Sequence, residues 1–171
     1  MQRSDRGSLW IVRHGRAEPA SASGHDTDRA LDSQGLRQAE WLGTVMTNPA
    51  LRPSSIVASP AVRTWTTARV IGTAIDIAPV ECPRLSCEHQ LSHAVEVIAE
   101  LLATMDPPRL AVVGHNPTVS ELLGWLVDGM GRPRKSLRTG EAVLVEFAAG
   151  TVFDQPGGAE MLQQCRRKGG G

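Results

Sequence analysis

The chain has 171 residues and a mass of 18.3 kDa, the size of one compact domain. Hydrophobic residues make up 41% and charged residues 21%, enough apolar material for a core, which excludes wholesale disorder. Lys+Arg and Asp+Glu are both 18, so no global charge draws the chain to nucleic acid or to an anionic membrane.

The first segment is polar, and its apolar run, Leu9 to Val12, is far shorter than the roughly 18 residues of a membrane span. Three cysteines, Cys82, Cys87 and Cys165, are too few and odd in number for a disulfide framework. These features predict a reduced, cytoplasmic protein. No Asp/His/Glu grouping has metal-ligand spacing, so neither a metal nor another cofactor is expected.

In chain order, Leu9 to Arg13 reads as a buried parallel strand ending in a polar cluster. A polar loop covers Pro19 to Thr27. Leu36, Ala39, Leu42, Gly43 and Met46 follow a helical period, with Asp32 or Ser33 as cap. Ser55 to Ala58 is a second buried strand. Ser59-Pro60 reads as the start of a helix, Ser as cap and Pro in the first turn. Ile75 to Val80 reads as a third strand, weaker than the others. Leu91, Val95, Ile98, Leu102 and Met105 form the clearest helical stripe, which Pro107-Pro108 ends.

Leu110 to Val113 is a fourth strand, and Asn116-Pro117 repeats the cap-and-Pro signal before another helix. Ala142 to Phe147 and Thr151 to Phe153 read as a closing hairpin. Alternating strands and helices predict a three-layer α/β/α sandwich around a mostly parallel sheet. The whole chain, 1–171, reads as a single domain with its core over about 8–155 and a flexible tail over 156–171.

Two histidines follow buried strands directly, in Arg13-His14-Gly15 and Gly114-His115-Asn116-Pro117. In open α/β sheets ligands bind at the carboxyl ends of strands. Gly15 and Gly114 remove bulk beside each ring, which lets a ligand approach the backbone. Arg63 stands in the first turn of a helix after another strand. Any one such residue is ordinarily a surface hydrogen-bonding group; three at corresponding strand ends point to one site.

These residues resemble the histidine phosphatase superfamily, of phosphoglycerate mutase-like fold. Arg13-His14-Gly15-Arg16-Ala17 is similar to its R-H-G-x-A signature, and Asp28-Arg29-Ala30-Leu31-Asp32 to its D-R-P-L-T segment. Ser59-Pro60-Ala61-Val62-Arg63-Thr64 resembles S-P-x-x-R-[AT], and Val113-Gly114-His115-Asn116-Pro117 resembles [VS]-G-H-N-P. The likeness runs over about residues 8–150. Only about fifty residues separate Arg63 from His115, too few for the helical insertion of the mutases. The chain therefore resembles the small SixA-type phosphohistidine phosphatases.

The resemblance implies a metal-independent phosphatase with a phosphohistidine enzyme intermediate, most simply one that dephosphorylates phosphohistidine in proteins. Its partner would be a phosphorylated protein or a small phosphorylated substrate. The alternatives are a phosphomonoesterase of sugar or nucleotide phosphates and a non-catalytic phosphate-binding module. His14 is the expected nucleophile, attacking as neutral imidazole with one ring nitrogen held by a backbone carbonyl. Arg13 and Arg63 offer planar forks to phosphate oxygens, and His115, if protonated, a further donor.

Arg29 either faces substrate or holds the loop by a salt bridge. Asn116 and Gly15 are substrate-binding candidates, although Asn116 also suits a helix cap. His25, His89 and His93 read as solvent-facing. Larger relatives carry an acid after the third strand. Here Arg84 stands where small relatives often have Glu, and Glu88, the nearest carboxylate, is either the general acid or a surface residue. Thr66 replaces the family's usual Gln or Glu.

Overall fold

The computed structural model describes residues 6–132 and 135–168. A six-stranded sheet runs through the middle, made of β1 (Arg6–Arg13), β2 (Ser55–Ala58), β3 (Val80–Glu81), β4 (Arg109–Gly114), β5 (Glu141–Ala148) and β6 (Ala159–Arg166). The spatial order is β3-β2-β4-β1-β5-β6. The first four strands in that order pair in parallel, and β5 and β6 close the sheet antiparallel. The mostly parallel α/β/α sandwich expected from the sequence is thus the fold observed.

The strands are apolar on both faces because helices cover both. Along β1, Leu9 and Ile11 enter one core layer and Trp10 and Val12 the other. The alternation of a strand thus splits one apolar run between two cores. Trp10 and Val12 pack under α1 (Ser33–Met46) and α2 (Val62–Ile75). Leu9 and Ile11 pack under α3 (Leu91–Ala103) and α4 (Thr118–Asp128). The Asp32 carboxylate caps α1 by accepting from the Gly35 amide at 2.8 Å.

Several expected boundaries shift. Leu36 is exposed, and the buried face of α1 runs through Gly35, Gln38, Ala39, Leu42, Gly43 and Met46. The α2 helix begins at Val62 with no side-chain cap, so Ser59 is not its capping residue. Ile75 ends α2, and the third strand shrinks to Val80–Glu81, because Asp76 turns the chain out in a left-handed conformation. Asn116 does not cap α4 either; the first turn there has no side-chain cap.

The closing hairpin pairs β5 with β6, not with Thr151 to Phe153. Phe153 instead turns inward, edge-on to Phe147 at 4.7 Å. The flexible tail expected over 156–171 is therefore corrected over Ala159–Arg166, which form an edge strand. The backbone ladder with β5 holds it, although most of its side chains face outward. Residues 156–158 and 167–168 flank that strand without regular structure, and residues 169–171 lie outside the described residues.

Candidate active site

Backbone ladders carry three segments to one edge. The amide of Ser59, just past β2, donates to Val113 O of β4, and the His14 amide, just past β1, donates to Gly114 O. Ser59, His14 and His115 thus emerge side by side at the carboxyl ends of neighbouring strands. The His14 and His115 rings lie 5.3 Å apart between centroids, tilted by 60°.

Both rings are buried. His14 Nδ1 lies 2.7 Å from Gly15 O, an acceptor only, so Nδ1 carries the proton and Nε2 is left with its lone pair. Burial pushes the His14 pKa down to about 4; the Gly15 carbonyl opposes this, and Arg63, Arg13 and Arg29 add to it. His115 Nε2 lies 2.8 Å from Ser59 Oγ, and its Nδ1 is buried without a hydrogen-bond partner. Burial, then His14 and Arg63, push the His115 pKa down to about 3. Both imidazoles are neutral at pH 7, so the protonated His115 considered from the sequence is not the resting state.

The guanidinium groups surround this pair. Arg13 donates from Nη1 to Leu137 O at 2.7 Å, and its Nε is buried without a partner. Burial lowers the Arg13 pKa, with Glu141 opposing. Arg63 is buried at the first turn of α2, and both of its terminal nitrogens reach Asp26. Nη1 donates to Asp26 O at 2.6 Å and Nη2 to Asp26 Oδ2 at 2.8 Å. Arg29 donates to the other carboxylate oxygen, Oδ1, at 2.8 Å and to Glu18 O at 2.6 Å. Arg29 therefore makes the loop salt bridge that the sequence left open, from a position beside the histidines.

Other candidates are placed differently. A Cβ on Gly15 would meet Gly35 O at 2.6 Å, and the Gly15 amide already donates to Thr67 Oγ1 at 3.0 Å. The close passage of α1 over Gly15 by itself requires a glycine there. Both ends of the Asn116 amide are engaged within the protein, Nδ2 with Leu137 O at 2.9 Å and Oδ1 with Ser120 Oγ at 2.6 Å. Asn116 braces the segment that also holds Arg13. Arg84 turns away to Glu96 and Glu100 of α3.

Glu88 lines a cavity of about 230 Å³ beside Ser59, together with Thr27, Asp28, Ser86 and Cys87. His89 and His93 are half-buried and face each other at 4.7 Å, whereas His25 is exposed. Thr66 makes no contact that bears on the site; its neighbour Thr67 ties α2 to Gly15. Among the described residues no group of His, Cys, Asp and Glu could hold a metal.

Three participants were not singled out from the sequence. Ser59 looked like a helix cap, and its hydroxyl instead meets His115. Asp26 lay in a stretch read only as a polar loop. The segment Leu137–Gly140 supplies Leu137 O to Arg13, and its Gly140 amide donates to His14 O at 2.9 Å. No local pattern marks that segment, because its contribution is made by backbone atoms.

Fold and site together define an α/β protein in which Arg13, Arg29 and Arg63 gather around a pair of buried histidines at the strand ends. Residues 9–88 match the model of the histidine phosphatase superfamily (branch 1). The matched stretch takes in Arg13, His14 and Arg63 and ends before His115. Among solved structures it is similar to a protein histidine phosphatase SixA complexed with tungstate, at TM-score 0.78 and 17% identity over 93% of this chain and 96% of that one. An Agrobacterium tumefaciens protein assigned as a SixA phosphohistidine phosphatase gives TM-score 0.74 and 20% identity, over 96% and 99%. A mycobacterial glucosyl-3-phosphoglycerate phosphatase gives 0.67 and 16%, over 93% and 97%. No curated protein matches the chain in sequence. No helix among the described residues is long and apolar enough to cross a membrane.

Proposed function

We propose that the chain is a metal-independent phosphohistidine phosphatase that works through a phosphohistidine enzyme intermediate on His14. The observation that carries this reading is the fixed tautomer of a buried, neutral ring. With Nδ1–H committed to Gly15 O, His14 Nε2 is the free nucleophile. Arg13, Arg63 and Arg29 supply positive charge where the phosphoryl oxygens gather it in the transition state. His14 Nε2 bonds to phosphorus as the bond from phosphorus to the leaving nitrogen breaks. Water then displaces His14 and releases orthophosphate.

His115 acts as a donor to the transferred group. When the Ser59 hydroxyl donates to Nε2, the His115 proton sits on Nδ1, the buried nitrogen with no partner in the protein. A phosphoryl oxygen satisfies that group.

The leaving group separates this reading from its rivals. A ring-protonated phosphohistidine releases neutral imidazole and asks little of a general acid, whereas a sugar alkoxide must be protonated as it leaves. Glu88 is exposed, and Arg84, which stands where small relatives often have Glu, is tied to α3. Phosphohistidine is therefore favoured over the sugar-phosphate class named for the mycobacterial neighbour. The tungstate complex of the SixA neighbour supports an oxyanion in such a fold. Retention of both histidines argues against a mere binding module, for which arginines suffice. The free thiols of Cys82, Cys87 and Cys165 suit a cytoplasmic phosphoprotein substrate.

The test is one hydrolysis panel with chelator present: phosphohistidine peptide, phosphoserine peptide, an aryl phosphate and several sugar phosphates. Phosphohistidine and aryl phosphate should be cleaved fastest. Faster cleavage of sugar phosphates would overturn the substrate assignment.

A further inference from the structure

The Asp26 carboxylate bridges Arg63 and Arg29. Its two oxygens are shared between Arg63 Nη2 and Arg29 Nη1, each at 2.8 Å, while its backbone carbonyl takes Arg63 Nη1 at 2.6 Å. The whole terminal fork of a buried arginine is thus spent on one exposed acidic residue of a surface loop. The loop is short and locally tied. Asp26–Asp28 form a single 3-10 turn, and Ser23 Oγ donates to Asp28 Oδ2 at 2.6 Å. Among the described residues, the hydrogen bonds from this turn to α2 run through Arg63.

A surface salt bridge to a fully solvated partner ordinarily contributes little. A buried arginine differs, because its guanidinium needs an acceptor whenever no ligand supplies one. Asp26 provides that acceptor from an exposed turn outside the helices and the sheet. Arg29 and Arg63 hold its carboxyl below the usual carboxylate range, so it is charged throughout the neutral region.

We infer that Asp26 is an internal competitor for the phosphoryl site, a carboxylate that occupies the Arg63–Arg29 pair until a phosphoryl group displaces it. The inference rests on the reading of Arg63 and Arg29 as ligands of phosphate oxygens. Every anion must then bind at the expense of the same exchange. Apparent affinity falls by the fraction of molecules in which the arginines are open. If the carboxylate is in place about nine-tenths of the time, binding weakens about 10-fold. A phosphoryl dianion offers the arginines more charge and more oxygens than the carboxylate and wins the exchange; weaker anions do not. The device sets a threshold for entry and weakens the hold of the product, orthophosphate.

The experiment is calorimetric titration of inorganic phosphate into the wild-type chain, Asp26→Asn and Asp26→Glu at neutral pH and fixed ionic strength. Asn keeps the size and the backbone contact to Arg63 but removes the competing charge. Asp26→Asn should bind phosphate about 10-fold tighter, and Asp26→Glu should stay near wild type. In parallel, hydrogen exchange of amides 19–28 should speed up when the wild type is saturated with phosphate. A variant that merely loosened the loop would not gain affinity.

Equal or weaker phosphate binding by Asp26→Asn overturns the inference. If the wild type still binds phosphate and hydrolyses phosphohistidine in that case, the proposed function stands without the gate. If no form binds phosphate, both fall.

Discussion

Lowering the pH should unfold this protein through its two site histidines. Both are buried as neutral rings, with pKa near 4 for His14 and near 3 for His115 against an ordinary value of 6.5. Between those limits the unfolded chain binds protons that the native chain refuses. Stability is therefore full above pH 6.5 and falls as pH drops through that value toward the folded pKa. At pH 5 each ring lies 1.5 pH units below its unfolded pKa, a loss on the order of 2 kcal/mol apiece. The pair together would remove about 4 kcal/mol from a total of roughly 5–15. Urea unfolding at pH 8, 6.5, 5.5 and 5 measures this directly. Carboxylates stabilised by partners, such as Asp26, lose their contribution as pH falls from the ordinary value of 3.8 toward their lowered pKa, below this window. A double variant, His14→Asn with His115→Asn, should flatten the profile between pH 6.5 and 5. A wild-type chain as stable at pH 5 as at pH 8 would refute the assignment of buried neutral rings.

The same neutrality sets the acid limb of kcat/KM near pH 4, well below that of an ordinary histidine, and an initial-rate profile on aryl phosphate checks it. His14→Ala should abolish turnover with the fold intact by circular dichroism, and alkaline quenching should trap phosphoenzyme in the wild type only. Arg63→Lys should recover only part of the roughly 100-fold or greater loss in hydrolysis rate expected of Arg63→Ala, since an ammonium cannot span two oxygens. Full rescue by Lys would refute the two-point contact. Gly15→Ala should destabilise by about 1–3 kcal/mol in urea unfolding, because its methyl would strike Gly35 O. Glu88→Gln should leave phosphohistidine and aryl phosphate hydrolysis unchanged in the same rate assays.

What the sequence disclosed, and what it hid, follows from how each residue is placed. Arg13, His14 and His115 were legible because each terminates or follows an apolar run, and strand ends are where α/β sheets expose chemistry. Arg63 was legible from its place in the first turn after β2. Ser59 was misread because Ser-Pro before a helix has two uses that look identical in one dimension. Only the ladder between Ser59 and Val113 turns its hydroxyl toward His115. Gly15 was given to a ligand because the sequence does not reveal how closely α1 crosses it. The β6 strand was taken for a tail because an edge strand with exposed Glu160, Met161, Leu162 and Gln164 has no buried alternation to detect. Asp26 sits in a run of small polar residues, and its meaning appears only when Arg63 and Arg29 converge on it.

The two histidines differ in the chemistry of the atoms they face, and that difference divides the proposed roles. A backbone carbonyl only accepts, so His14 keeps its proton on Nδ1 and its lone pair on Nε2 for as long as the ring is neutral. A serine hydroxyl both donates and accepts, so His115 Nε2 stays hydrogen-bonded to Ser59 whether that nitrogen carries a proton or not. A phosphoryl dianion entering the site would offset part of the field of the three arginines and raise the proton affinity of both rings. For His14 protonation would consume the nucleophilic lone pair. For His115 it leaves the Ser59 bond in place, with the hydroxyl turned to accept, and makes Nδ1 a charged donor. The arginines that hold the anion also offset its pull on His14, which keeps that lone pair available. Two rings of one residue type thus receive opposite tasks from one carbonyl and one hydroxyl at adjacent strand ends.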